Sequence, residues 1–230
     1  YVMENQASGD QFPEGKAALL QGLDEGSLLV NYTGHGGEVG WSNASILDIS
    51  DINKINNGNR LPAYVTATCE FGRWDDPERK AGAEVLLVRE GGGAVAMFTT
   101  VRVVFAGPNH TLNINYYNQV FKYDSTELRM PTMGEVFMRT KNVSWGGQVN
   151  NRNFSLLGDP AMQLVYPRNK AVVTRINGNP VVANVTDTLS ALNLITIEGE
   201  ARDQQDNLMN SFNGDLFVTV YDKPSKFTTW

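Results

Sequence analysis

The sequence predicts an α/β fold, a mostly parallel sheet flanked by helices, followed by part of an antiparallel β-sandwich of immunoglobulin-like strand spacing. Three observations carry this. Apolar runs at 27–32 (SLLVNY), 61–68 (LPAYVTAT) and 94–104 (AVAMFTTVRVV) are nearly continuous, as strands covered on both faces must be. Helical periodicity separates them, giving strand–helix–strand–helix–strand order. After Pro167 the pattern changes to short strand signals between Gly, Asn, Pro and Asp turns, with no helical spacing. The expected division is therefore 1–167, the C-terminal part of an α/β domain, and 168–230, the start of a truncated sandwich module.

In chain order, residues 1–16 carry Gly9, Pro13 and Gly15 and read as loop. The Ala/Leu spacing of 16–23 predicts a short helix, broken by Asp24, Glu25 and Gly26 before the first strand. A Gly-rich loop follows His35 and carries Trp41. Residues 47–56 fit a helix, with Ser50 as N-cap and Ile52 and Ile55 on one face, stopped by Asn57-Gly58-Asn59. The second strand, 61–68, leads through a charged loop to a helix over 81–89, ended by Gly91 to Gly93. The third strand, 94–104, bends or breaks around Thr100 to Arg102. Helices are expected at 111–121 and 133–141, and a strand-like run at 154–165 is interrupted by Gly158-Asp159-Pro160. Beyond Pro167, strands are expected at 172–176, 194–199 and 216–221.

Composition bounds the function. The 230 residues are 41% hydrophobic and 19% charged, which is ordinary for a globular chain. A formal charge of −6 with no basic cluster excludes non-specific nucleic-acid binding as a reading. No apolar run reaches the roughly eighteen residues of a membrane span. The chain opens on Tyr1 without a signal peptide and stops soon after a strand signal, so it reads as a piece of a longer protein. Of its six Asn-X-Ser/Thr sequons, the one at Asn31 falls inside an expected buried strand and reads as a chance match.

The chemistry concentrates at two strand tips. His35 lies among Gly34, Gly36 and Gly37, and Cys69, the single cysteine, ends the run that follows Leu61. One cysteine excludes an internal disulfide and a Cys-only zinc site, leaving a buried structural thiol or a reactive one. In a parallel sheet both tips fall on the same rim, where a histidine and a cysteine can form a thiolate–imidazolium pair. A free thiol ionises around pH 8.5, and a neighbouring imidazolium brings thiolate into the neutral range. The backbone N–H groups of Gly36 and Cys69 are the natural oxyanion donors; losing one such donor costs roughly 3 kcal/mol of transition-state stabilisation. Glu70 is expected to face substrate or a structural arginine, because an inward carboxylate would oppose thiolate formation. Trp41 and Trp74, with Glu70, are candidate pocket residues. Arg73, Asp75, Asp76 and Arg79 read as a salt-bridged solvated loop, and His110 as a surface or capping residue. No calcium-loop spacing, dinucleotide fingerprint or P-loop is present, and no metal ligand set is assigned.

NYTGHGG, LPAYVTATCEFG and LLGDPAMQLVYP together resemble the gingipain-type cysteine peptidases of caspase-like fold. TATCEFGRWDDP, GGGAVAMFTTVRVVF and FNGDLFVTVYDKP are similar to the sortase branch of that family, which serves the type IX secretion system. The resemblance implies catalytic His35 and Cys69 and an enzyme needing no cofactor, with structural calcium compatible. It also implies a bacterial cell-surface, outer-membrane location and PorV-like secretion-system partners. The expected substrates are cargo proteins with C-terminal secretion signals, their acyl groups passed to an amine of anionic lipopolysaccharide. A further catalytic carboxylate and part of the pocket would lie before residue 1. Two other readings stay open: a plain gingipain-like endopeptidase, and a non-catalytic surface module whose thiol is structural.

Overall fold

The structure is a computed structural model that describes residues 4–6, 9–144, 148–182, 189, 192–215 and 218–219. The chain divides into two compact units, Tyr1–Val165 and Tyr166–Trp230.

The first unit begins with a short antiparallel pair, β1 (Glu4–Gln6) and β2 (Gly9–Gln11). Helix α1 (Pro13–Glu25) starts earlier than its Ala/Leu spacing indicates, because Pro13 is preorganised for the first helical turn. Strand β3 (Leu29–Thr33) then runs parallel to β7 (Ala63–Ala67), which runs parallel to β8 (Ala96–Thr100); β9 (Phe154–Leu157) joins β8 antiparallel. The order β3-β7-β8-β9 makes a mostly parallel sheet of four strands.

Helices cover both faces. On one side Tyr64 and Met97 meet Leu23 of α1, Ile52 of α2 (Ile49–Ile52) and Leu86 of α3 (Gly82–Val88) in a single apolar cluster. On the other side Phe98 stacks on Tyr116 of α4 (Ala106–Val120) and meets Phe137 of α5 (Met133–Val143) edge-on. This two-sided burial is why every residue of β7 and β8 is buried and why their sequences do not alternate.

Several expectations need correction, the first being the loop read over residues 1–16, which holds β1, β2 and the start of α1. The Gly-rich stretch after His35 is not an open loop but a small antiparallel sheet of β4 (Gly36–Gly37), β5 (Gly40–Trp41) and β6 (Leu47–Asp48). The helix expected over 47–56 is only α2, and its cap is Asp48 rather than Ser50. The Asp48 carboxylate accepts from the N–H groups of Ser50 and Asp51, while Asp51 accepts from the Asp48 N–H. A further helix, α6 (Gln148–Asn153), precedes β9; its polar sequence QVNNRN shows no apolar periodicity to announce it. Finally, Asn31 is exposed, because β3 ends the sheet order.

The second unit contains a three-stranded antiparallel sheet, in which β10 (Asn169–Ile176) pairs with β11 (Asn179–Pro180) and β12 (Ile197–Asp203). Strand β10 alternates exposed and half-buried residues along its length. Most of the third expected strand, 216–221, lies outside the described residues.

Candidate active site

The site follows from sheet register. In the β3–β7 ladder the last paired rung is Thr33 opposite Ala67. His35 and Cys69 each lie two residues beyond that rung, so the two candidate side chains leave adjacent strands at the same edge. The Gly34 N–H reaches back to the Ala67 carbonyl at 3.3 Å and continues the contact one step past the strands. Gly36 tightens it further: a Cβ there would stand 2.5 Å from Thr68 Oγ1 and 2.9 Å from the Gly40 carbonyl. Only a residue without a side chain lets the histidine segment lie this close to the one before Cys69.

The two tips are held differently. The His35 carbonyl accepts from the Tyr32 hydroxyl and from the Ser42 N–H, both at 2.7 Å. The Tyr32 ring lies parallel to Trp41 at 4.6 Å, and burial raises its hydroxyl above the ordinary phenol range. The His35 side chain, by contrast, is exposed. Cys69 is half-buried, and its thiol donates to the Val104 carbonyl at 3.7 Å. The preceding carbonyl, that of Thr68, accepts from the Thr100 hydroxyl. The backbone then reverses sharply: Glu70 adopts a left-handed conformation with φ of 53°, a strained state for a residue with a Cβ. Gly72 completes the turn by donating to the Thr100 carbonyl at 2.8 Å, where a Cβ would stand 2.3 Å from Thr99 Cγ2.

Charge ties the tips together. Glu38, in the turn between β4 and β5, accepts from Arg73 of the cysteine turn at 2.6 Å and lies 3.5 Å from Arg79. Arg73 also stands 3.8 Å from both Glu70 and Asp76. Glu70 thus has a structural arginine as partner. Arg102, just after β8, forms a forked pair with Asp75 at 2.8 and 2.5 Å. A cleft of about 270 Å³ opens among Glu38, Val39, Glu70, Arg73, Asp76 and their neighbours.

The other sequence-predicted residues fall as follows. Trp41 is buried to 1% exposure among Tyr32, Tyr64 and Phe71, so its ring belongs to the core and does not line a pocket. Trp74 is exposed. His110 lies in the body of α4 and is exposed. Among the described residues no group of three or more His, Cys, Asp and Glu side chains could hold a metal ion, so no residue set is assigned to calcium.

Sequence reading missed Thr100, Glu38, Val104 and the asparagines of α4 and α6 that hold β7 and the 101–105 segment. Glu38 alone left a signal, as the one acidic residue within the glycines after His35.

The fold and the sequence agree on a relationship. The family model of Peptidase family C25 matches residues 1–165. Among solved structures, the chain is similar to the Arg specific cysteine proteinase gingipain R (RGPB), with a TM-score of 0.58 and 21% identity. It is also similar to a complex of Porphyromonas gingivalis RgpB pro- and mature domains, with a TM-score of 0.59 and 19% identity. Each match covers 69% of this chain, which spans about two fifths of those chains (39% and 40%). A third structure, described as a protease, matches at a TM-score of 0.56 and 16% identity, over 66% of this chain and 39% of that one. No curated protein matches. The family match over most of the chain, with the α/β sheet shared with the gingipain structures, establishes that this chain belongs to peptidase family C25, the gingipain-like cysteine peptidases.

Proposed function

We propose that this chain supplies the nucleophile and the proton carrier of a cysteine peptidase, with Cys69 and His35 in those roles. The observation that carries the reading is the shared register, which sets both residues two positions past the last rung of adjacent parallel strands. In this mechanism His35 takes the Cys69 proton, and the thiolate sulfur attacks the scissile carbonyl carbon. The carbonyl oxygen becomes an oxyanion facing the N–H groups of Gly36 and Cys69. The C–N bond then breaks as His35 returns its proton to the departing amine, leaving a thioester on Cys69. Water or another amine adds to the acyl carbon, gives a proton to His35, and the C–S bond breaks. Glu38 and Arg73 support this chemistry by tying the histidine segment to the cysteine turn. Glu70 and Trp74, at the cleft and on the surface, are the remaining candidates for substrate contact.

Alkylation of the full-length protein by iodoacetamide at about pH 7 tests the pair. Cys69 is expected to react faster than a model thiol, and His35→Ala to remove the excess. Equal rates in wild type, His35→Ala and the model thiol would leave a structural thiol in a non-catalytic module as the correct reading.

The sortase branch, with the type IX sortase PorU as its pattern, is the more specific reading, carried by the likeness of TATCEFGRWDDP, GGGAVAMFTTVRVVF and FNGDLFVTVYDKP. The second unit then begins an immunoglobulin-like sandwich, and the enzyme works at the bacterial surface beside PorV-like partners. It cleaves cargo proteins before their C-terminal secretion signals and transfers the acyl group to a lipopolysaccharide amine. Mass spectrometry of released cargo separates the two fates of the thioester. A glycan-amine adduct supports transfer, whereas hydrolysed product alone returns the protein to plain endopeptidases.

A further inference from the structure

The thiol of Cys69 does not point into empty space; it donates to a main-chain carbonyl whose neighbours on both sides are tightly held. That carbonyl belongs to Val104. The next residue, Phe105, is gripped on both its main-chain groups by one side chain. Its N–H donates to Asn150 Oδ1 at 3.1 Å, and Asn150 Nδ2 donates to its carbonyl at 2.8 Å. Asn150 Nδ2 also donates to Asn109 Oδ1 at 2.8 Å, and Asn109 Nδ2 donates to the Ala67 carbonyl at 3.1 Å. The network therefore runs from β7, two residues before the nucleophile, through α4 and α6, back to the segment that touches the sulfur. Both asparagines are buried, at 1% and 5% exposure. On the outer side Asn153 repeats the grip, donating from Nδ2 to the Val103 carbonyl and accepting the Val101 N–H on its own carbonyl, each at 2.8 Å.

An amide is the side chain this position needs, because it donates and accepts at once without carrying charge. A carboxylate would lose the donor, and an apolar residue would leave the Phe105 groups unpaired. We propose that Asn150, with Asn109, is a positioning residue that fixes the 101–105 segment, holds the Val104 carbonyl against the Cys69 sulfur and so limits the directions from which the sulfur can be approached. This rests on the reading of Cys69 as the nucleophile.

The test uses the full-length protein and iodoacetamide across roughly pH 6 to 9. Folded Asn150→Ala, verified by circular dichroism, is expected to alkylate about two- to tenfold faster than wild type across that range, because the sulfur loses its cover. Should Asn150→Ala fail to fold, Asn153→Ala, at the partly exposed end of the same grip, is expected to shift the rate in the same direction by less. Charged groups on the elements around the thiol are His35 and Glu38 on the histidine segment and Glu70 and Arg73 on its own turn. Asp76, Asp75 and Arg102, at that turn and after β8, His110 on α4 and Arg152 on α6 lie on these elements as well, and neither substitution alters any of them. A rate unchanged or slowed in the folded variants overturns the proposal. So does a gain no larger in Asn150→Ala than in Asn153→Ala, which would mean general loosening of the segment. The parent reading fails separately: if His35→Ala leaves the wild-type rate unchanged, Cys69 is not activated by that histidine, whatever Asn150→Ala does.

Discussion

Strands β3 and β7 lie side by side and lead to His35 and Cys69, yet they stand in different surroundings. All five residues of β7 are buried, with strands on both sides and helices above and below. Strand β3 ends the sheet order and buries fully only Val30. The cysteine is thus fixed by the interior of the sheet, through Thr68, Thr100 and Gly72. The histidine leaves an edge and needs a scaffold of its own, supplied by the β4–β5–β6 sheet, the Tyr32–Trp41 stack and the Glu38–Arg73 bridge. The two strands teach a division of labour: the cysteine tip is held by a central strand, and the histidine tip by a supported edge.

Breaking the scaffold should harm the histidine tip and spare the sheet. The largest effect is expected from Trp41→Ala, which empties the ring space under Tyr32, Tyr64 and Phe71; loss of a buried tryptophan of this kind costs about 3–5 kcal/mol. Chemical denaturation measures the loss, and the histidine-dependent part of Cys69 alkylation should vanish in the protein that remains folded. Gly36→Ala comes next. Its Cβ meets Thr68 Oγ1 and the Gly40 carbonyl, and an overpacked contact of this sort costs about 1–3 kcal/mol. Gly37→Ala next door has nothing within 4 Å of the added carbon and should stay within about 0.5 kcal/mol of wild type, so equal losses at the two positions would remove the close-approach argument.

The smallest effect is at the far end of the scaffold. Burial pushes the Asp48 carboxyl up, but this is outweighed by hydrogen bonds from Ser50 and Asp51 and by the Lys16 charge, bringing it down to about 2 from 3.8. A carboxylate depressed in the folded state stabilises fully above its unfolded value, and that contribution disappears as pH falls from about 4 through about 2. Asp48→Ala should therefore cost about 1 kcal/mol at neutral pH, as loss of a cap does. Thermal melts should then show a smaller difference between variant and wild type at the bottom of that acid range than at pH 7. A constant difference down to the lowest pH would show that Asp48 acts without its charge.

Much of the sheet was legible in the sequence because strands covered on both faces leave continuous apolar runs, as at 61–68 and 94–104. The tips were legible for a different reason: His35 and Cys69 are rare residue types placed directly after such runs. What supports them was not. The β4–β6 sheet is built from two-residue strands too short to show a period, and Trp41 read as a pocket residue since aromatic character alone does not separate a core ring from a wall. Helix α6 is polar apart from Val149, and its asparagines act by gripping main chain, which leaves no pattern in the side-chain order. Ser50 drew attention as a cap in place of Asp48 because both side chains carry an oxygen that can accept from the first helical N–H groups.

The β8–β9 pairing, Met97 with Leu157 through Thr100 with Phe154, has a consequence for how the protein is made. Pairings between segments this far apart in the chain form late, because a long loop must close before any contact compensates for it. During synthesis the sulfur of Cys69 emerges well before Thr100 and Val104, and Asn150 and Asn153 emerge later still. The nascent chain therefore passes through a stage in which its single thiol has none of its final neighbours and stands open to oxidants. Folding, for this residue, is also the end of a period of chemical vulnerability.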